Sequence, residues 1–66
     1  MTITLNGDPH TLADGATIGD LLAQLDIDPR GVAVERNCVV IKRDQYASTP
    51  IADGDQIEIV NFVGGG

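Results

Sequence analysis

The stretch TIGDLLAQL, residues 17–25, decides the fold. Its large apolar residues are Ile18, Leu21, Leu22 and Leu25. They follow the spacing i, i+3, i+4 and i+7, which places them on one face of a helix. Thr17 is a good N-cap, and Asp20 stands three positions later, where a capping box places its carboxylate. A helix with one apolar stripe needs an apolar surface to cover, and the flanking sequence predicts strands.

Strand signals lie on both sides of this helix. Alternating residues precede Asn6-Gly7, a strong signal for a tight hairpin turn, and Asp53-Gly54-Asp55 predicts a turn before the last strand. The predicted strands cover residues 2–5, 10–12, 32–34, 38–41 and 56–60. The helical region ends before residues 28–31, and residues 43–48 are predicted as an irregular crossing segment. This order predicts an α+β domain with one helix packed on a mixed five-stranded sheet.

Length and charge exclude several classes of function. A domain of 66 residues buries only about 60% of the surface of its unfolded chain, so an enclosed catalytic pocket is not expected. Ten acidic residues against four basic ones give a net charge of −6, which disfavours nucleic acid and anionic membranes as partners. The first residues show no basic and apolar targeting segment, so a cytoplasmic protein is expected.

The chain ends in Gly64-Gly65-Gly66, directly after the last predicted strand. We therefore predict a folded domain at residues 1–62 and a flexible tail at residues 63–66. Fully extended, residues 62–66 span roughly 16–18 Å, and glycines let another backbone approach closely. Such a thread fits a narrow channel in a partner enzyme, with Gly64 and Gly65 inside it. The alternative is a frayed end without a role.

The last strand also predicts a docking surface. If Ile57 and Ile59 face the helix, Val60 and Phe62 face outward, because side chains alternate along a strand. They would form an exposed apolar pair beside the tail, which Ala33 and Val40 on neighbouring strands extend. The alternative is that Phe62 folds back over the sheet edge as a satellite of the core.

Together these segments resemble the ubiquitin-like sulfur-carrier family, and most closely the carriers of thiamin biosynthesis. The likeness runs along the whole chain. It is carried by Asn6-Gly7, residues 17–25, Val32-Ala33-Val34 with Asn37, Lys42-Arg43-Asp44-Gln45-Tyr46, and Asp53-Gly54-Asp55-Gln56-Ile57-Glu58-Ile59-Val60 leading into Gly65-Gly66. The resemblance implies a β-grasp fold, in which the first and last strands lie parallel in the middle of the sheet.

The resemblance also implies a function in which this chain is a carrier and not an enzyme. A partner adenylyltransferase of the ThiF type would adenylate the carboxylate of Gly66 with ATP and Mg²⁺, and a sulfur-donating protein would supply the sulfur of a thiocarboxylate. A thiazole synthase of the ThiG type would then accept that sulfur. Gly65 and Gly66 match the family's functional positions, and Gly64 is an additional glycine. No cofactor is expected on this chain, since it lacks a glycine-rich phosphate loop with a lysine. No metal is expected either, because one His and one Cys give no set with zinc spacing.

The residues alone leave three other functions possible. The small subunit of molybdopterin synthase is a second sulfur carrier with a terminal Gly-Gly, although that family is usually longer. A ubiquitin-like modifier would join its tail to lysines of target proteins. A plain protein-binding module would leave the tail inert.

Five residues could be interpreted as chemically active, and a structural interpretation is favoured for each. Cys38 is expected to be a small strand residue and not a nucleophile, and His10 an ordinary hairpin residue and not a metal ligand. Asp53 and Asp55 bracket a turn glycine, which turn chemistry explains. Tyr46 is expected to cover one end of the core with its hydroxyl in water.

Overall fold

A computed structural model describes residues 1–62, which form five strands, one α-helix and two 3₁₀ turns. The strands are β1 (Thr2–Leu5), β2 (Asp8–Thr11), β3 (Val32–Arg36), β4 (Val39–Ile41) and β5 (Gln56–Asn61); the helix is α1 (Ile18–Gln24), and the 3₁₀ turns are Pro29–Gly31 and Arg43–Gln45. The order along the chain agrees with the predicted one. The α+β class is therefore confirmed.

The strands form one mixed sheet in the order β2-β1-β5-β3-β4. The first and last strands, β1 and β5, are parallel neighbours, whereas β1–β2, β3–β4 and β3–β5 are antiparallel. The last strand of the described chain thus occupies the centre of the sheet. This is the β-grasp arrangement that the resemblance implied.

The helix begins with the predicted capping box. The Thr17 hydroxyl accepts a hydrogen bond from the Asp20 N–H at 3.2 Å, and the Asp20 carboxylate accepts one from the Thr17 N–H at 2.9 Å. These bonds satisfy two backbone donors that a helix start leaves free. The helix ends at Gln24, and Leu25 is its C-cap, one residue earlier than predicted.

The apolar stripe of α1 packs into the core as predicted. The buried apolar residues are Ile3, Leu12, Ala16, Ile18, Leu21, Leu22, Val32, Val34, Tyr46, Ile51 and Ile57. The prediction for Tyr46 was wrong in one respect. Its side chain is only 5% exposed, and its buried hydroxyl lies 3.5 Å from the carbonyl oxygen of Val32. The hydroxyl faces protein because the Arg43–Gln45 turn carries Tyr46 into the core.

The turn at Asn37 differs from the predicted one. Both Asn37 and Cys38 have positive φ, 51° and 69°, as the two central residues of a type I′ hairpin turn require. The prediction that Cys38 is a strand residue was therefore wrong, because the turn uses two residues and β4 begins at Val39. Asn6-Gly7 forms the corresponding turn of the β1–β2 hairpin with φ of 49° and 87°.

Within residues 1–62, no helix has the length and apolar character needed to cross a membrane.

Candidate functional site

The side chains of β5 alternate between the core and an open sheet face, as predicted. Ile57 is buried, and Ile59 packs against the core from a partly buried position. On the opposite face Val60 is 52% exposed and Phe62 is 56% exposed. Phe62 therefore does not fold back as a buried satellite of the core. Two large apolar side chains are presented to solvent at the end of the strand.

Neighbouring strands enlarge this exposed apolar surface. Val60 lies opposite the half-buried Ala33 of β3. Val40 of β4, 67% exposed, lies opposite Glu35 and is thus the diagonal neighbour of Ala33. We call Ala33, Val40, Val60 and Phe62 the apolar patch. Exposed apolar residues that cluster in this way mark interaction surfaces on soluble domains.

The end of β5 is anchored to the turn that follows the helix. The N–H of Phe62 donates a hydrogen bond to the carbonyl oxygen of Gly31 at 3.0 Å. The same turn is capped by Asp28, which accepts from the Arg30 N–H at 2.9 Å and binds its guanidinium at 2.8 Å. Hydrogen bonds from Arg30 lower the pKa of Asp28 to about 2. This fixes the point at which the chain leaves the sheet.

Asn6 holds β5 from one side. Its backbone N–H donates to the carbonyl oxygen of Ile57 at 2.9 Å. Its side chain then accepts from the N–H of Ile59 at 2.8 Å and donates to the carbonyl oxygen of Ile59 at 3.3 Å. The side-chain amide thus pairs with β5 as the backbone of one further β1 residue would. The sequence marked Asn6 only as a turn residue and gave no signal of this second role.

Asn37 and Asp55 hold the start of β5. Asn37 exchanges two hydrogen bonds with the backbone of Gln56, at 2.8 and 2.9 Å, and donates from its side chain to Asp55 at 3.0 Å. Arg36 donates to the same carboxylate at 2.7 Å, and the Ala52 N–H does so at 2.8 Å. This network joins the turn before β5 to the end of β3.

The Asp55 carboxylate is buried and ionised. Burial opposes its charge, but the donors at Ala52, Arg36 and Asn37 outweigh that effect and lower the pKa of Asp55 below its ordinary value. The interpretation of Asp53 and Asp55 as plain turn residues was therefore incomplete. Asp53 accepts from the Thr2 N–H at 2.8 Å, as a turn residue that also ties down β1, whereas Asp55 is only 7% exposed and bonds to three residues.

The other predicted residues lie apart from one another. Cys38 is exposed in its turn, and the His10 ring binds the side-chain oxygen of Gln24 at 2.6 Å. Among residues 1–62, no three His, Cys, Asp or Glu side chains are grouped to hold a metal ion. The predicted tail residues Gly64, Gly65 and Gly66, with Val63, lie outside the described residues.

Known proteins are similar to this chain over nearly its whole length. The family model described as "ThiS family" matches residues 3–66. The sulfur carrier protein ThiS of Bacillus subtilis is 45% identical over 97% of this chain and 98% of its own length. The sulfur carrier protein ThiS of Escherichia coli is 36% identical over the whole of both chains.

Other relatives are much longer proteins. A thiazole synthase of Magnetococcus marinus is 47% identical over all 66 residues. The chain spans 20% of the length of that protein. A segment similar to this chain is thus one part of a larger polypeptide there.

A solved structure agrees with the fold. The crystal structure of the thiamine biosynthesis protein (ThiS) from Geobacter metallireducens superposes with a TM-score of 0.86 at 36% identity, covering the whole of both chains. Fold, length and sequence point to the same relatives, and the family match includes the terminal glycines. The chain therefore belongs to the ThiS family.

Proposed function

We propose that this protein carries sulfur as a thiocarboxylate on Gly66 and delivers it for the thiazole ring of thiamin. One observation carries the proposal. The match to the ThiS family runs through residue 66, so it includes the glycines on which a carrier of this kind depends. The B. subtilis relative, which this chain matches over 98% of its length, is named a sulfur carrier.

The chemistry requires activation of the terminal carboxyl group. A free α-carboxyl has a pKa of about 3.3–3.7, so at neutral pH it is an anion that resists attack by sulfur. One of its oxygens attacks the α-phosphorus of ATP, and pyrophosphate leaves. A donor then delivers the equivalent of hydrosulfide to the acyl carbon, AMP leaves with the oxygen, and a thiocarboxylate remains. No net oxidation or reduction of the carrier occurs.

Three partners follow from this sequence of steps. A ThiF-type adenylyltransferase supplies the site for ATP and Mg²⁺, and a sulfur-donating protein supplies the sulfur. A ThiG-type thiazole synthase accepts it. The thiazole synthases that contain a segment similar to this chain support the last partner. The carrier itself is not the catalyst and needs no cofactor of its own.

The open sheet face supports a docking role. Asn6, Asn37 and the bond from Phe62 to Gly31 fix the course of β5. The patch residues Val60 and Phe62 lie immediately before the tail, so a partner that covers them receives the following residues at a defined place. Gly64 and Gly65 then thread into its active site and bring Gly66 to ATP, since glycine allows close approach to a partner's backbone.

Intact-mass measurement with fragmentation tests the proposal. The protein is incubated with a ThiF-type adenylyltransferase, ATP, Mg²⁺ and a sulfur donor, and the control omits ATP. We expect the mass increase of one oxygen replaced by sulfur, located at Gly66. An unmodified terminus would overturn the proposal, as would isopeptide linkage of Gly66 to lysines of other proteins, which is the outcome expected of a modifier.

A further inference from the structure

The turn of the first hairpin, Asn6-Gly7, brings together two residues that can react with each other. The backbone nitrogen of the residue after an asparagine can attack the carbonyl carbon of the asparagine side chain. Glycine leaves that nitrogen unhindered, because it has no side chain. The other two asparagines of the chain precede Cys38 and Phe62, whose side chains crowd the attacking nitrogen. Asn6 is also exposed, so it is the asparagine best suited to this reaction.

The reaction is a deamidation. The Gly7 nitrogen gives its proton to solvent and forms a bond to Cγ of Asn6, while the bond from Cγ to Nδ2 breaks and ammonia leaves with a proton taken from solvent. Water then adds to either carbonyl carbon of the resulting cyclic imide and opens the ring. The product is an aspartate joined to Gly7 through its α- or its β-carboxyl group. Water enters and ammonia leaves, and nothing is oxidised or reduced.

The fold holds the Asn6 side chain against β5 and not against Gly7. Oδ1 accepts from the N–H of Ile59 at 2.8 Å, and Nδ2 donates to the carbonyl oxygen of Ile59 at 3.3 Å. The backbone N–H of Asn6 is bound as well, to the carbonyl oxygen of Ile57 at 2.9 Å. Because both polar atoms of the amide are bound to β5, Cγ cannot swing onto the Gly7 nitrogen until these bonds break.

We propose that Asn6 is a site of spontaneous deamidation and that its pairing with Ile59 suppresses the reaction while β5 is in place. The ladder between β1 and β5 has two register pairs, the second of them Leu5–Ile57, so the end of this ladder depends on the Asn6 side chain. The released ammonia diffuses away and the amide does not re-form. Each modified molecule therefore retains a permanent mark of an opening at β5.

Deamidation also weakens the pairing that suppressed it. The new carboxylate still accepts from the N–H of Ile59, but at neutral pH it is ionised and has no proton to donate to the Ile59 carbonyl oxygen. Two electronegative oxygens then face each other in place of a hydrogen bond of 3.3 Å. The β-linked product also lengthens the backbone of a turn whose two residues have φ of 49° and 87°. A modified chain should open at β5 more often.

Peptide mapping by mass spectrometry tests the site and its suppression. Deamidation is followed at one pH and temperature, in buffer, in a series of urea concentrations below the unfolding transition, and in urea that unfolds the protein. Amide hydrogen exchange at Ile59 is measured over the same series, because the Ile59 N–H and the Asn6 amide are released by the same event. Asn37 and Asn61 are internal controls in every sample.

We expect deamidation at Asn6 to be roughly tenfold or more slower in the folded than in the unfolded chain, since two hydrogen bonds must break first. With rising urea the deamidation rate and the exchange rate of Ile59 should increase in parallel. Equal rates in the folded and unfolded chain, or deamidation that does not follow exchange at Ile59, would overturn the role of the pairing. Comparable deamidation at Asn37 or Asn61 would overturn the selectivity for Asn6.

Asn6→Asp reproduces the α-linked product and tests its consequence, with Asn61→Asp as the matched control. Both variants add one negative charge at an exposed position, but only the first alters the pairing with Ile59. We expect Asn6→Asp to lower the Tm by roughly 4–8 °C and to accelerate exchange at Ile59, whereas the control should change little. Equal losses in Tm, or unchanged exchange at Ile59 in Asn6→Asp, would show that the product does not weaken β5.

Discussion

The side-chain amide of Asn6 pairs with the backbone of Ile59, accepting its N–H at 2.8 Å and donating to its carbonyl oxygen at 3.3 Å. The backbone register between β1 and β5 ends one step earlier, at Leu5 and Ile57. Asn6 therefore performs two tasks at once. Its backbone turns the hairpin at φ of 49°, and its side chain extends the central parallel ladder toward the exit of β5.

Substitutions at Asn6 should separate these two tasks. Asn6→Gly keeps a residue suited to positive φ but removes the amide, and we expect it to lower the free energy of unfolding by about 1 kcal/mol. Asn6→Ala also strains the turn and should cost about 1–2 kcal/mol more. Urea unfolding gives both values. Amide exchange at Ile59 should accelerate in both variants, and unchanged protection there would show that the side-chain bond contributes nothing.

Asp55 should make the protein sensitive to acid. Its pKa is lowered in the folded state, whereas in the unfolded chain it is near 3.9. The unfolded state then binds more protons in acid, so the stability from this group is present above about pH 4 and is lost as the pH falls through the folded value.

Comparison with Asp55→Asn measures this contribution. At pH 7 the variant should be less stable by about 2 kcal/mol, because Arg36 loses its charged partner. The two proteins should converge as the pH falls through the folded-state pKa of Asp55, because the wild-type carboxylate then also becomes neutral. The acid response of Asp28, whose pKa is about 2, is common to both and cancels in the difference. Parallel stability curves would contradict the assignment.

The apolar patch should matter for docking and not for folding. Val60→Ser and Phe62→Ser remove exposed side chains, so we expect changes in unfolding free energy within about 0.5 kcal/mol. Binding to the activating enzyme, measured by calorimetry, should weaken about tenfold or more for each. Val39→Ser is the matched control, since Val39 is equally exposed on β4 but points to the other face from Val40. Equal losses in all three variants would argue against a defined docking surface.

A methyl group on the last residue should block activation. Gly66→Ala is expected to slow adenylation on the order of 100-fold, because a small displacement of the reacting carboxylate in a narrow channel is costly. The thermal unfolding midpoint should be unchanged, since the core consists of residues before position 62. Adenylation at the wild-type rate in this variant would show that the channel does not exclude a side chain.

The sequence predicted the parts of the fold that depend on local pattern. The spacing of apolar residues in α1, the capping box of Thr17 and Asp20, and the alternation in β5 are all local, and the structure confirms each of them. Boundaries moved by one or two residues where a turn used more residues than expected, as Asn37 and Cys38 did.

Long-range contacts were not predictable from pattern. Asn6 and Ile59 are separated by 53 positions, and the sequence near either residue contains no pattern that predicts their hydrogen bond. Tyr46 and Asp55 likewise owe their burial to segments distant in sequence. The exposure of Val60 and Phe62 could be predicted from the alternation of side chains along β5. The pairing of Glu35 with Glu58 could not be predicted, because it depends on the register between β3 and β5.

The central position of β5 governs when the domain becomes complete. In the sheet, β5 lies between the hairpins β1–β2 and β3–β4, so without it the two hairpins do not pair with each other. Contacts between segments so far apart in sequence form late and slowly. The open face is itself built from β3, β4 and β5, so a nascent or damaged chain does not yet possess it. An activating enzyme that must dock on this face before it binds the glycines would therefore adenylate only folded chains.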